Sequence, residues 1–222
     1  KTMAEAGEGL RQFKGFSYFT EMSDIINRLE DHVASARMKT TPVIDFEKNE
    51  SLKGLDYLDT IYHAIVNEHP IQLKYRSFKA RSANSFIFYP YLLKEYRNRW
   101  FVYGVRGNGR ILQNLALDRI QSLEVLPQEH YIKNTFFDPN TFFDDLVGVT
   151  KNTGSVAEKV GFKVAAAEAP YIITKPIHRS QQVMERLADG SVILEIEVVI
   201  NHELERVFFG YAEGIQVLYP KT

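Results

Sequence analysis

Hydrophobic positions recur at three- and four-residue intervals twice in the first third of the chain. Met22, Ile25, Ile26, Leu29 and Val33 line one face over 20–37, with Glu21, Asp24, Asn27, Glu30 and Asp31 on the other, which predicts an amphipathic helix. Leu52, Leu55, Leu58, Ile61, Tyr62 and Ile65 repeat the pattern behind Ser51, a good N-cap, and predict a second helix ending near Glu68, ahead of Pro70. The stretch 40–50, with Pro42, reads as an extended connector. At Ile71 the period changes to two: Ile71, Leu73 and Tyr75 on one face, Gln72, Lys74 and Arg76 on the other.

Further strands are predicted at Phe86–Leu93, Arg99–Val105, Ile111–Leu117 and Ile120–Leu126, with Gly107-Asn108-Gly109 as a hairpin turn because Asn-Gly tolerates positive φ. Five short, closely joined strands predict a small β-barrel. Asp138 to Thr153 reads as a linker with one helical turn around Phe142–Leu146. After it the order is strand (Val160–Ala166), helix (Ala167–Thr174), strand (His178–Leu187), turn at Asp189-Gly190, strand (Val192–Ile200), helix (Glu203–Tyr211), strand (Gln216–Tyr219), the β-α-β-β-α-β order of a ferredoxin-like split fold. The expected class is α+β: a helical connecting segment over 1–50, a barrel domain over 51–130, a linker over 131–155 and a ferredoxin-like domain over 156–222.

Composition removes several function classes. The 222 residues contain no cysteine, so disulfides, thiolate catalysis and zinc-thiolate sites are excluded. No apolar run approaches the roughly 18–20 residues of a membrane-spanning helix, and the opening stretch lacks the apolar core of a secretory signal, so no membrane role and a cytoplasmic location are expected. No Gly-x-Ser-x-Gly elbow occurs. The six histidines (His32, His63, His69, His130, His178, His202) are scattered without helical i,i+4 pairing, and a solvated loop accounts for Asp144-Asp145, so neither a metal nor a cofactor is expected. Gly107-Asn108-Gly109 lacks the glycine spacing and following helix of a phosphate-cradling loop.

Charge changes the picture most. Between Pro70 and Arg119 stand ten Lys or Arg against Glu95 and Asp118, a net +8, so the rest of a chain of net −1 carries −9. Rings interleave with these cations: Tyr75, Phe78, Phe86, Phe88, Tyr89, Tyr91, Tyr96, Trp100, Phe101 and Tyr103. Cations for phosphates and flat rings for bases are the ingredients of single-stranded nucleic-acid and nucleotide sites; a solvated charged face over an aromatic core is the bland alternative. Tyr96-Arg97-Asn98-Arg99-Trp100 concentrates donors and rings in a turn entering a strand. Asp118-Arg119 fits two readings, a carboxylate fixing an Arg fork for phosphate or a structural ion pair.

Ile71-Gln72-Leu73-Lys74-Tyr75-Arg76-Ser77, Tyr89-Pro90-Tyr91-Leu92-Leu93, Asn98-Arg99-Trp100-Phe101-Val102 and Leu117-Asp118-Arg119-Ile120 resemble the WYL domain of bacterial transcriptional regulators, with Trp100-Phe101-Val102 in place of the naming triplet. Thr174 to Gln181, Asn201-His202-Glu203-Leu204 and Val217-Leu218-Tyr219-Pro220 are similar to the C-terminal extension of those regulators. The resemblance implies an Sm-like, SH3-type barrel that senses a nucleic-acid or nucleotide-like effector in a basic groove. It also implies a dimeric, non-enzymatic protein whose N-terminal winged helix-turn-helix binds promoter DNA. That helix-turn-helix is not recognisable here and the first residue is Lys1, so the chain is expected to be the C-terminal part of a longer regulator, with the Met22–Val33 face packing on its own chain or a second subunit. The matching ligand-contact positions are Tyr75, Ser77, Arg97, Arg99, Trp100 and Arg119. The family often has a further Arg two residues before the Asp of the last motif; here Ala116 occupies that place, leaving Arg110 as the substitute or a different ligand as the outcome. The alternative expectation is a protein-interaction or dimerisation module whose basic face docks an acidic surface, since +8 and −9 regions attract.

Overall fold

The computed structural model describes residues 54–107 and 109–220; the helix expected over 20–37, the connector over 40–50, the Ser51 cap and Asn108 lie outside them. The chain is α+β, built on two mainly antiparallel sheets with few helices. It divides into two compact units, whose described residues are 54–107 with 115–133, and 109–114 with 134–220.

A single 3-10 turn (Leu55–Tyr57) leads into α1 (Leu58–Val66), and β1 (Ile71–Tyr75), β2 (Asn84–Tyr96), β3 (Arg99–Arg106), β4 (Leu112–Ala116, whose first three residues are grouped with the second unit) and β5 (Ile120–Val125) form a sheet in the order β4-β3-β2-β1-β5. Leu58 and Ile61 of the predicted face are buried, together with Ala64, against Ile71, Leu73, Phe88 and Val102, and Tyr62 and Ile65 pack partly buried beside them. Each such aliphatic side chain contributes about 1.5–3 kcal/mol when removed from water. The helix stops as the chain turns through Glu68 in the left-handed region (φ 53), with His69 N–H donating to Ala64 O at 2.8 Å before Pro70 starts the strand. The thirteen-residue β2 pairs with β1 through its first half and with β3 through its second. The register shifts at Pro90/Leu92 and again between Lys74 and Tyr75 opposite β5, and irregularities of this kind bend a strand and strengthen its twist.

The other side of β2 and β3 is buried as well. Tyr89, Tyr91, Tyr103 and Val105 lie there, with the Tyr131 ring 6.1 Å from both Tyr89 and Tyr91 and its hydroxyl donating to Pro90 O. Burial, reinforced by Tyr89, pushes the Tyr91 hydroxyl up to about 12, and burial raises Tyr131 further still.

The second unit runs β6 (Glu158–Val164), α2 (Ala169–Thr174), β7 (Gln182–Arg186), β8 (Val192–Val198), α3 (His202–Phe209) and β9 (Ile215–Tyr219), with sheet order β7-β8-β6-β9. Val160, Phe162, Val164, Leu194, Ile196 and Val198 point to one face and meet Ile172 of α2 and Leu204 of α3. The expected strand from His178 starts only at Gln182, because His178–Gln181 close a turn: Gln181 N–H donates to His178 O at 3.0 Å and Ser180 N–H to His178 Nδ1 at 3.2 Å. The linker begins to turn before the expected Phe142–Leu146: Phe142 N–H donates to Asp138 O at 2.9 Å, and Leu146 N–H to Phe143 O at 3.3 Å.

His178 is buried, with Ser180 Oγ 2.7 Å from Nδ1 and the Asp144 backbone accepting from the ring. Burial and the Arg179 cation lower its pKa, against the opposing carboxylates of Asp145 and Asp144. The folded state thus prefers neutral His178. Its contribution to stability is complete above the ordinary value of about 6.5 and disappears as pH falls through the lowered folded value. Histidine ring NMR shifts should give a His178 midpoint below about 6.5. Urea midpoints should drop between pH 7.5 and 5, by less in His178→Gln; a midpoint above the ordinary value contradicts this.

Candidate functional site

The site is assembled by two tight turns. β4 and β5 are joined by a single 3-10 turn, Leu117–Arg119, anchored by buried Leu117. Gly54 (φ +87) abuts it so closely that a Cβ there would lie 2.4 Å from the Leu117 carbonyl carbon; only glycine allows that approach. The β2–β3 connection is the second turn, with Arg97 (φ 50) and Asn98 (φ 59) both left-handed, the pattern of a type I′ hairpin. Glu95 Oε1 accepts from Asn98 N–H at 2.6 Å and holds the turn, while Tyr96 pairs with Arg99 across it. A non-glycine residue in this region carries about 1 kcal/mol of strain, so the turn places a cation at its tip at some cost in stability.

These turns bring Arg99 and Arg119 to one carboxylate. Arg99 Nε lies 3.4 Å from Asp118 Oδ2 and Arg119 Nε 3.9 Å from Asp118 Oδ1, with the Asp118 side chain only 14% exposed. Both separations exceed a charge-assisted hydrogen bond. Asp118 Oδ1 and Arg119 Nε are buried and have no hydrogen-bond partner among the described residues. Two guanidinium groups against one carboxylate leave the cluster at +1. Tyr75 completes it: burial raises its pKa, and the charge and hydrogen bonding of Arg119, with the Ala116 backbone, oppose the rise. Arg119 also stacks on Phe78, its guanidinium carbon 4.3 Å from the ring centroid, and Phe78 is 74% exposed. Arg76 N–H donates to Arg119 O at 3.2 Å, and Ala80 N–H to Ser77 O at 3.0 Å, so the strand end and the loop bearing Phe78 are both tied down.

Of the residues singled out from the sequence, Tyr75, Arg99 and Arg119 come together at Asp118. Ser77 lies two residues beyond Tyr75 in the Phe78 loop. Arg97 sits at the hairpin tip, 5.4 Å over Tyr96. Trp100 packs against the core, a wall rather than an exposed platform. Arg110 is exposed in 109–114, which groups with the second unit, and no distance ties it to Arg119. Ala116 is buried with its backbone toward Tyr75. Sequence reasoning counted Phe78 among the interleaved rings without placing it at the site, and it did not anticipate the pairing of Arg106 with Phe86; the available signal was an aromatic residue inside the polar loop that follows Tyr75.

The chain is of the α+β class, two sheet units with a cluster of cations and rings on the first. The chain matches the WYL domain over residues 56–125 and the WCX domain over 157–222, and it belongs to the WYL-domain regulators. No curated protein matches it. Among solved structures, proteasome accessory factor B/C (PafBC) of Arthrobacter aurescens is 14% identical, with 89% of this chain and 28% of that chain covered at a TM-score of 0.33. A CRISPR Cas-related protein is 12% identical, with 76% and 48% covered at a TM-score of 0.30. The chain thus spans less than half of either.

Proposed function

We propose that this chain is the effector-sensing part of a bacterial DNA-binding transcription regulator and that the Tyr75, Arg99, Asp118, Arg119 cluster receives a phosphate-bearing ligand, a single-stranded nucleic acid or a nucleotide. The carrying observation is the convergence of Arg99 and Arg119 on one largely buried carboxylate beside the exposed Phe78 ring. Asp118 holds the two guanidinium groups without neutralising them, so they remain donors for phosphate oxygens, while Phe78 offers a face to a base. Arg97 at the hairpin tip and Ser77 in the Phe78 loop are second contacts, and Trp100 packs on the core as a wall.

The five-stranded sheet with its bends is read as the Sm-like barrel of WYL domains. The β-α-β-β-α-β unit, with strand order β7-β8-β6-β9, is read as the ferredoxin-like extension. In the whole regulator, a cytoplasmic homodimer, effector binding shifts an N-terminal helix-turn-helix on promoter DNA. No step of this function requires bond chemistry.

Titrating labelled single-stranded oligonucleotide by fluorescence anisotropy at several salt concentrations tests the reading. Two phosphate contacts predict a log–log slope of about −1.4, from about −0.7 per contact on a single strand. Absent or salt-insensitive binding defeats it. Salt-sensitive self-association without oligonucleotide affinity instead supports docking of the basic face on an acidic surface.

A further inference from the structure

We infer that the short segment ahead of α1 sets the turn that carries Asp118 and Arg119: Gly54 and Tyr57, uncharged and outside the basic band, are positioning residues for that pair. This rests on the function proposed above. Both ion pairs of the cluster are longer than a charge-assisted hydrogen bond, and Asp118 Oδ1 and Arg119 Nε, both buried, have no hydrogen-bond partner among the described residues. The cluster does not lock itself, so its geometry comes from whatever holds the backbone of Leu117–Arg119.

Two supports for that backbone come from one piece of chain. Gly54 (φ +87) presses on the Leu117–Asp118 peptide, where a Cβ would lie 2.7 Å from the Asp118 nitrogen. Just past the turn, Tyr57 Oη donates to Gln121 O at 3.2 Å. Tyr57 N–H donates to Gly54 O at 3.2 Å, so the two residues move together, and Leu58 and Ile61 immediately after them are anchored in the core. The Gln121 carbonyl has a particular place in the sheet. Lys74 lies opposite Ser122 and Tyr75 opposite Ile120, so Gln121 is the extra residue of a bulge, left out of the β1–β5 pairing. The bulge is written in the spacing of the apolar residues: Ile120, Leu123 and Val125 pack on the core, three residues apart and then two, with Gln121 and Ser122 exposed between them. Side chains alternate along a strand, so a β5 regular at this point would exchange its faces, turn Ile120 to water and carry Arg119 away from Tyr75. Tyr57 thus holds the irregularity on which the meeting of Tyr75 and Arg119 depends, while Gly54 holds the turn itself.

The test titrates fluorescein-labelled hexathymidylate on the full chain as wild type, Tyr57→Phe, Arg119→Met and the double variant. It also records the arginine Nε–Hε NMR resonances without ligand, Arg119 being assigned by its loss in Arg119→Met. Tyr57→Phe, which removes only the hydroxyl, should weaken the hexamer about three- to tenfold, the effect of one hydrogen bond, and should move the Arg119 resonance while arginines outside the cluster stay put. In the Arg119→Met background the same change should weaken binding by less than about twofold more, because its effect runs through the missing guanidinium. Gly54→Ala should weaken the hexamer more than Tyr57→Phe does. Gly154→Ala, at a similar left-handed backbone (φ +82) with open space around its Cβ, should leave affinity within about twofold, and urea midpoints verify folding. A Tyr57→Phe loss that adds in full to that of Arg119→Met would mean that Tyr57 acts elsewhere, and unchanged affinity with an unmoved Arg119 resonance would make its hydrogen bond merely local; each overturns the positioning role and leaves the proposed function intact. A wild-type chain that binds no hexamer removes the proposed function. In that event an Arg119 resonance that moves in Tyr57→Phe still upholds the positioning role, and one that stays removes it as well.

Discussion

Arg119→Glu is expected to abolish oligonucleotide binding near physiological salt. The substitution removes the guanidinium that stands between Tyr75 and Phe78 and sets a second carboxylate beside Asp118, turning the cluster of Arg99, Asp118 and residue 119 from +1 to −1. Losing a hydrogen bond to a charged group costs about 1.5–3 kcal/mol, and repulsion between the new carboxylate and phosphate adds to it, so a loss of at least about a hundredfold is expected. Arg119→Met keeps the packing on Phe78 without the charge and should lose at least about tenfold, which guards against Glu merely disturbing the 3-10 turn. Arg119→Lys restores the charge without the planar fork and should fall between Met and wild type. Arg186→Glu makes the same change in total charge on exposed β7 of the second unit and should leave affinity within about twofold at a salt concentration where the Debye length is about 8 Å. Anisotropy titrations of the four variants decide the matter. Equal weakening by Arg119→Glu and Arg186→Glu would mean that only net charge is sensed, and wild-type affinity in both Met and Glu variants would remove Arg119 from the site.

Most strands of both units are legible from the sequence because they have a face whose apolar residues alternate, as in Ile71, Leu73 and Tyr75 or Val160, Phe162 and Val164; β7, exposed along its whole length, has no such face. Alternation blurs on β2, where Phe88 faces one core and Tyr89 and Tyr91 are covered by Tyr131, more than thirty-five residues further along. Local pattern carries no trace of such a cover. The turns that build the site are harder to see. Arg97-Asn98 has no glycine to announce two left-handed residues, and the 3-10 turn at Leu117–Arg119 depends on Gly54 fitting against it from more than sixty residues away. Basic and aromatic residues were visible as a band, but which of them meet is decided by the β2–β3 register and by these turns. That is why Arg99 and Arg119 converge on Asp118.

A large loss of stability is expected from Asn201→Ala, through a side chain that performs three tasks. Its Oδ1 accepts from Leu204 N–H at 2.8 Å and caps α3, while Nδ2 donates at 2.9 Å to both Val147 O and Thr150 O. The chain through these carbonyls turns at Gly148 (φ +92), and Thr150 Oγ1 donates to Glu203 Oε1 at 2.7 Å, so one asparagine and the first turn of one helix hold the end of the linker against the second unit's sheet. Ala forfeits about 1 kcal/mol of capping and leaves two carbonyls without their donor, each worth about 1 kcal/mol or more where water cannot replace it, for a total of about 3 kcal/mol. Asn201→Asp separates the tasks. A carboxylate caps a helix as well as an amide does, but here it would face two carbonyl oxygens with nothing to donate. Asp should therefore be at least as destabilising as Ala at pH 8, and its deficit should shrink as pH falls, because a protonated carboxyl regains one donor. The sign follows from the folded-state pKa of the new acid being raised, so that stability is recovered below it. Urea unfolding of the three chains at pH 8 and pH 5 makes the comparison. An Asp variant as stable as wild type at pH 8 would show that the cap alone matters and that the linker is held by other contacts.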